Sequence, residues 1–417
     1  MPETSVSGRA SRARTRRRES KSGIGLALAG GGPLGGIYEV GALLALADSL
    51  DGIDFTKLDA YVGVSSGGFV AAALANGIPA AEIYRLFIEG GQAQGALTPE
   101  LFMRPAFAEY GRRARTVPAI AARAAWNYLR RPLARGPLDA FAALGRAIPT
   151  GVFDNQAIHA YLETVFSRPG QTNDFRRLRR RLYLVATDLD TGEAVSFGRK
   201  GHDAVPISRA VQASAALPGL FPPVQIDGRY YVDGALRKTL HASEALDDGM
   251  RLVLCVNPLV PFDAKLAAAR GRGPQGHLVE GGLPMVLSQT FRAVIHSRMA
   301  AGLSKYRTQY PGRDVVLFEP ERDDGEIFFT NIFSYATRQR VCEHAYERTR
   351  RDLAKRAKEL APILARHGMR LRHDVLADPH RRLPIDFRRR ARGGALARAA
   401  SQLQGTLAEL RRHIAAA

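Results

Sequence analysis

Apolar residues fall along the chain in two alternating textures. Short unbroken apolar runs give way to longer stretches in which apolar side chains recur every three or four positions. The first run covers residues 24–29 and is closed by the glycine-rich stretch 30–36; helical spacing follows over 37–50. The unit then repeats. A short apolar run over 59–64 predicts a strand, Ser65-Ser66 a sharp turn, and residues 67–76 an alanine-rich helix stopped by Asn76-Gly77-Ile78-Pro79. Further buried strands are predicted over 181–187, 251–256 and 314–318. Apolar runs separated by helices need cover on both faces. This predicts a three-layer α/β/α domain around a mainly parallel central sheet.

Three stretches break the texture. Residues 1–22 are rich in Ser, Arg and Glu without apolar periodicity, and are expected to be a disordered basic tail. Residues 98–150 are rich in Ala and Arg and broken by six prolines; they read as a helical insertion that gates an apolar pocket. Residues 341–417 read as a basic helical C-terminal region. The main domain is therefore placed at 23–340.

Charge changes this picture only at the ends. The formal net charge is +20. Residues 1–22 hold seven basic and two acidic side chains, and residues 341–417 eighteen and eight, so three quarters of the excess sits in the tails. Such tails suit an anionic membrane surface or nucleic acid. No zinc finger, basic zipper or RNA-recognition aromatic motif accompanies the arginines, which points away from nucleic acid. Trp126, Tyr128, Arg123, Arg130 and Arg131 suit a helix lying on lipid. No run of 18 apolar residues is present, so no membrane-spanning helix is expected. Cys255 and Cys342 sit in apolar or helical runs and read as buried thiols. That fits a reducing compartment, and the expected location is the cytoplasm with peripheral membrane contact.

Two turns carry candidate chemistry. Gly30, Gly32 and Gly35 follow a strand and precede a helix, with the spacing of a dinucleotide-binding turn. Such a loop offers backbone N–H groups to a pyrophosphate or to a transient oxyanion. The acidic residues Asp48, Asp51 and Asp54 precede the second strand, where a dinucleotide site would want one after it. The second turn is Gly63-Val64-Ser65-Ser66-Gly67. Gly-X-Ser-X-Gly between strand and helix is the context of a nucleophile elbow. Gly63 and Gly67 let strand and helix pack closely around it, with Ser65 at the helix N-terminus. A serine nucleophile needs a base. His241, His277, His296 and His344 follow in chain order, and Asp233 ends an apolar stretch before Gly234; spacing does not choose among them. Asp188 and Asp190 read as turn aspartates. Asp323, Asp324 and Glu326 lack the spacing of a calcium loop and read as a solvated acidic loop.

Four blocks in order resemble the patatin-like phospholipases, a branch of lipid acyl hydrolases. They are Gly30-Gly31-Gly32-Pro33-Leu34-Gly35, the elbow at Ser65, Ala213-Ser214-Ala215-Ala216-Leu217-Pro218, and Asp233-Gly234-Ala235. The resemblance implies a Ser65–Asp233 dyad without histidine, with an oxyanion held by the N–H groups of Gly31 and Gly32 in the loop that Gly30 and Gly35 frame. It implies hydrolysis of lipid-like carboxylic esters, with no metal and no organic cofactor. The alternatives are a Ser–His–Asp esterase and a non-catalytic lipid-binding protein. Many members carry Arg or Lys where Leu34 stands; the adipose triglyceride lipase branch has leucine there. A missing cation favours the broader term acyl hydrolase over phospholipase.

Overall fold

A computed structural model describes residues 23–89, 104–130, 148–237, 240–271, 277–329 and 335–383. The expectations for residues 1–22, for much of 98–150 and for 384–417 lie outside them. The sheet is built on β1 (Ile24–Leu28), β3 (Ala60–Val64), β4 (Arg181–Asp188), β8 (Leu252–Val256) and β9 (Asp314–Phe318). These five pair in parallel, in the order β4-β3-β1-β8-β9. Every residue of β1, β3 and β8 is buried, as a parallel sheet covered on both faces requires. The fold is α/β, with helices over a mostly parallel sheet. A separate two-stranded ribbon joins β2 (Leu50–Asp51) to β10 (Arg370–Leu371).

The short strands β5 (Ala194–Phe197), β6 (Val224–Ile226) and β7 (Arg229–Asp233) were not foreseen. They add antiparallel pairs: β5 and β7 each on β4, and β6 on β7. Three to five residues with polar members make too weak a pattern to read.

Two of these pairings place the site. Along β4, Val185 faces Val64 at the end of β3, and the next residue, Ala186, faces Asp233 at the end of β7. Residues 184–187 of β4 pair with β5, so β3 and β7 share the opposite edge. They run toward each other and stop one position apart. Ser65 and Asp233, about 170 residues apart in sequence, are therefore delivered to one point by hydrogen-bond register alone.

The helices are α1 (Gly32–Ser49), α2 (Ser66–Ala75), α3 (Phe107–Arg130), α4 (Gln156–Phe166), α5 (Ile207–Ser214), α6 (Gly282–Gln309), α7 (Tyr335–Lys355) and α8 (Ala357–Arg366), with shorter turns between. One boundary differs from the sequence reading. Helix α1 starts at Gly32 and not near Ile37, so Gly32–Gly36 form its first turn. Pro33 fits there because a first-turn N–H has no intrahelical partner to lose. Three glycines in one turn hid the helix from propensity. Helix α1 is buried along most of its length against α2 and α7; at Gly41 a Cβ would collide with the Cys342 carbonyl.

The acidic loop is a correction. Asp323 and Asp324 are buried, not solvated. Asp324 is bonded to His344 at 2.7 Å and faces Arg348 at 3.6 Å, while Asp323 accepts from Arg270 at 3.1 Å. Basic partners from two distant segments, Arg270 and the pair His344 and Arg348 on α7, make their burial tolerable. Among the described residues, no helix is long and apolar enough to cross a membrane.

Candidate active site

The turn after β3 is tight enough to bring backbone against backbone. A Cβ on Gly63 would lie 2.7 Å from the Gly67 carbonyl oxygen, and one on Gly67 2.6 Å from that of Leu28. Neither position accepts a side chain without moving main chain. Ser65 sits between them at φ 53°, ψ −124°, a conformation rare for a residue with a side chain. Holding it costs about 1–3 kcal/mol, which the surroundings must over-determine. One restraint is visible: Ser65 N–H donates to the Ser214 hydroxyl at 2.8 Å, and that hydroxyl donates to the Val185 carbonyl at 2.5 Å. The Ala-Ser-X-Ala block thus braces the elbow, a role that the sequence did not disclose. Ser65 is the N-cap of α2, so the dipole end of that helix lies under its side chain.

Asp233 closes β7 and is almost fully buried. Its Oδ1 accepts from Ala235 N–H at 2.8 Å, and the Ser65 hydroxyl lies within hydrogen-bonding reach. Burial pushes its carboxyl up to about 6, against the opposing pull of the Ser65 and Ala235 contacts. Gly234 follows because a Cβ there would meet the Val185 carbonyl and lie 3.2 Å from Val64.

The first glycine turn approaches from the other side. A Cβ on Gly30 would lie 2.9 Å from the Cβ of Ser65. Gly31 caps α1, and Gly32 opens it at φ +62°, with open space where a Cβ would be. First-turn N–H groups have no intrahelical acceptor, so this helix end is free to hold an anion. Gly35 differs: its N–H donates to the Gly31 carbonyl at 3.1 Å, closing the turn. It enters the site through packing, 3.0 Å from the ring of Pro258 and 3.3 Å from the Ser66 hydroxyl on the same measure. Leu34 packs against the core.

Gly31, Gly32, Ser65 and Asp233 all line one cavity of about 340 Å³. Its walls are otherwise mostly apolar, with Phe69, Phe87, Ile158, Val211 and Phe291 among them. None of His241, His277, His296 and His344 lines it. His296 faces Glu319 at 3.6 Å and His344 serves Asp324. Asp188 holds a turn, accepting from Asp190 and Thr191 N–H at 3.0 and 3.1 Å. The base of the insertion sits beside the cavity, where Phe153 N–H donates to the carbonyl of the lining residue Leu220. Among the described residues, no group of three His, Cys, Asp or Glu side chains is placed to hold a metal ion.

The sequence profile of the patatin-like phospholipases matches residues 26–246, just over half of the chain. The chain belongs to that family. All the residues of the two turns and of the Asp233 block lie inside the matched stretch. Uncharacterized NTE family proteins of Mycobacterium tuberculosis and Mycobacterium bovis are each 27% identical over 246 residues. That match covers 58% of this chain but 31% of those proteins, so it spans less than a third of their length. Among solved structures, VipD from Legionella pneumophila is 16% identical with a TM-score of 0.36, covering 78% of this chain and 65% of that one. The type III effector ExoU is 17% identical with a TM-score of 0.32, covering 78% and 52%.

Proposed function

We propose that the protein hydrolyses carboxylic esters of lipid-like substrates, a phospholipid, lysophospholipid or acylglycerol, through an acyl-enzyme on Ser65. The observation that carries this reading is the meeting of Ser65 and Asp233 in one apolar cavity, against the free end of α1. The acyl chain lies along the apolar walls. Asp233 accepts the Ser65 proton as Oγ attacks the carbonyl carbon, and the carbonyl oxygen becomes an oxyanion. The N–H groups of Gly31 and Gly32 hold that charge, the type of contribution that is usually largest in acyl transfer. Asp233 returns the proton to the leaving alcohol. Water then attacks the acyl-enzyme with Asp233 again as base, releasing the fatty acid and restoring Ser65.

The absence of any of the four candidate histidines from the cavity lining supports aspartate as the base over a Ser–His–Asp arrangement. A carboxyl raised toward neutrality is a better proton acceptor than an ordinary one while remaining ionised above about pH 6. Exposed Phe107 and Trp126 on α3 support contact with a lipid surface.

The test is labelling with a fluorophosphonate, together with hydrolysis of phospholipids, lysophospholipids, acylglycerols and p-nitrophenyl esters. Wild type should label and Ser65→Ala should not, with turnover falling on the order of 10⁴-fold or more. Labelling elsewhere, or a total loss from one His→Ala variant while Asp233→Asn stays active, would overturn the dyad. A folded protein that neither labels nor turns over any of these esters would leave only the lipid-binding reading.

A further inference from the structure

Two arginines in the cavity wall, Arg292 and Arg338, have no part in the dyad. Arg292, on α6, lines the cavity and is 9% exposed. Its Nη1 donates to the carbonyls of Pro258 at 3.4 Å and Val260 at 3.3 Å, both long, and its guanidinium lies 5.2 Å from the Phe328 ring centre. Among the described residues no carboxylate pairs with it. Among the described residues, the only acidic side chain lining the cavity is Asp233, which lies beside Ser65. Burial alone pushes the guanidinium down to about 10, with no neighbouring charge to raise it. Arg338 of α7 lines the same cavity, with Nη1 donating to the Phe87 carbonyl at 3.2 Å.

A guanidinium has five N–H donors and keeps its charge. Taking it out of water is costly unless an anion or a full set of acceptors meets it. Here two distant carbonyls face one nitrogen, in a wall that is otherwise mostly apolar. The glycine loop supplies no cation of its own: it holds no basic residue, and Leu34 packs against the core. We infer that Arg292 is the anion-recognising group of the cavity, binding a phosphoryl or carboxylate group attached to the acyl-chain ligand. The inference deepens the acyl-hydrolase reading and rests on it for the identity of the chain that fills the cavity. Its chemistry is shared by two sources, the phosphoryl of a head group and the carboxylate of a released fatty acid.

A bracing role makes a different prediction. Arg292 holds the Pro258 carbonyl, and a Cβ on Gly31 would lie 2.8 Å from the Pro258 ring. Loss of a brace would loosen the loop for every ligand alike.

The experiment measures binding without turnover, in the full chain carrying Ser65→Ala. Dodecyl phosphate, dodecanoate and dodecanol are titrated into it, and into the same protein carrying Arg292→Gln or Arg292→Lys. At least one anion should bind roughly 10-fold to 100-fold more tightly than the alcohol, the range of a charge-assisted contact. Arg292→Gln should remove that preference, and Arg292→Lys should keep part of it. A preference for dodecyl phosphate alone assigns a head-group phosphoryl; a preference that includes dodecanoate assigns the released acid. Equal binding of all three, no binding of any, a preference that survives Arg292→Gln, or equal weakening of all three by that variant overturns the inference. If Arg292→Gln fails to fold, the Ser65→Ala titration and Arg292→Lys decide it. No step requires hydrolysis, so failure of the anion preference and failure of the esterase reading are separate results.

Discussion

The two strand-to-helix turns differ in what their glycines deliver. In the turn at Ser65, glycine buys closeness: Gly63 and Gly67 touch neighbouring main chain, and the product is one side chain held in a strained pose. In the turn at Gly30–Gly32, Gly30 and Gly31 are again closely packed, but Gly32 supplies conformation and access. Gly32 adopts φ +62° with open space around it, and the product is a bare helix end. One turn presents a hydroxyl, the other presents backbone. Similar strings of glycine between apolar runs thus encode different devices, and only the packing distinguishes them.

Substitution should separate the two turns sharply. Gly67→Ala places a methyl group against the Ala29 and Leu28 carbonyls. It should cost more than about 4 kcal/mol or prevent folding, read by denaturant unfolding and soluble yield. A well-folded Gly67→Ala variant would break the comparison. Ser214→Ala removes the acceptor of the Ser65 N–H and should cost about 1–3 kcal/mol, with kcat falling more than KM changes. An unchanged kcat would mean that the elbow holds its shape without this brace.

Asp233→Asn should stop ester hydrolysis yet stabilise the protein. Its folded pKa, about 6, lies above the ordinary value of 3.8. The protonated form is therefore favoured by folding, and the native state is penalised once the carboxyl ionises. The penalty grows as pH rises from about 4 to 6 and is constant above that. The variant should unfold at higher denaturant concentration than wild type at pH 8, by roughly 1–3 kcal/mol, and at the same concentration near pH 4. In wild type, kcat/KM should rise with pH through about 6 and then level off, as a base that works ionised requires. The smallest effect belongs to Gly32→Ala. With space for the methyl group, only the positive φ opposes it, and the expected cost is about 1–2 kcal/mol.

What the sequence disclosed follows the range of the forces involved. The elbow was legible because its glycines, serine and flanking apolar runs are contiguous. The parallel strands were legible because full burial writes an unbroken apolar run. The delivery of Asp233 was not, since it depends on two strands stopping one position apart along β4. Nor were Ser214, Pro258 and Arg292, which reach the site from segments 149, 193 and 227 residues beyond Ser65. Asp323 and Asp324 misled for the same reason: their burial depends on Arg270, His344 and Arg348, which come from elsewhere in the chain.

The strand order also sets the smallest unit that can be cut from this chain. The family match ends at residue 246, but β8 and β9 come later, and β8 pairs along the whole of β1. A fragment ending at 246 would turn β1 from an interior strand into a bare, fully apolar border carrying the glycine loop on its tip. Borders of that kind recruit other chains. Such a fragment is expected to assemble into aggregates before it can be assayed, so recombinant pieces of this protein should run at least through β9 and the helix α7 that covers α1.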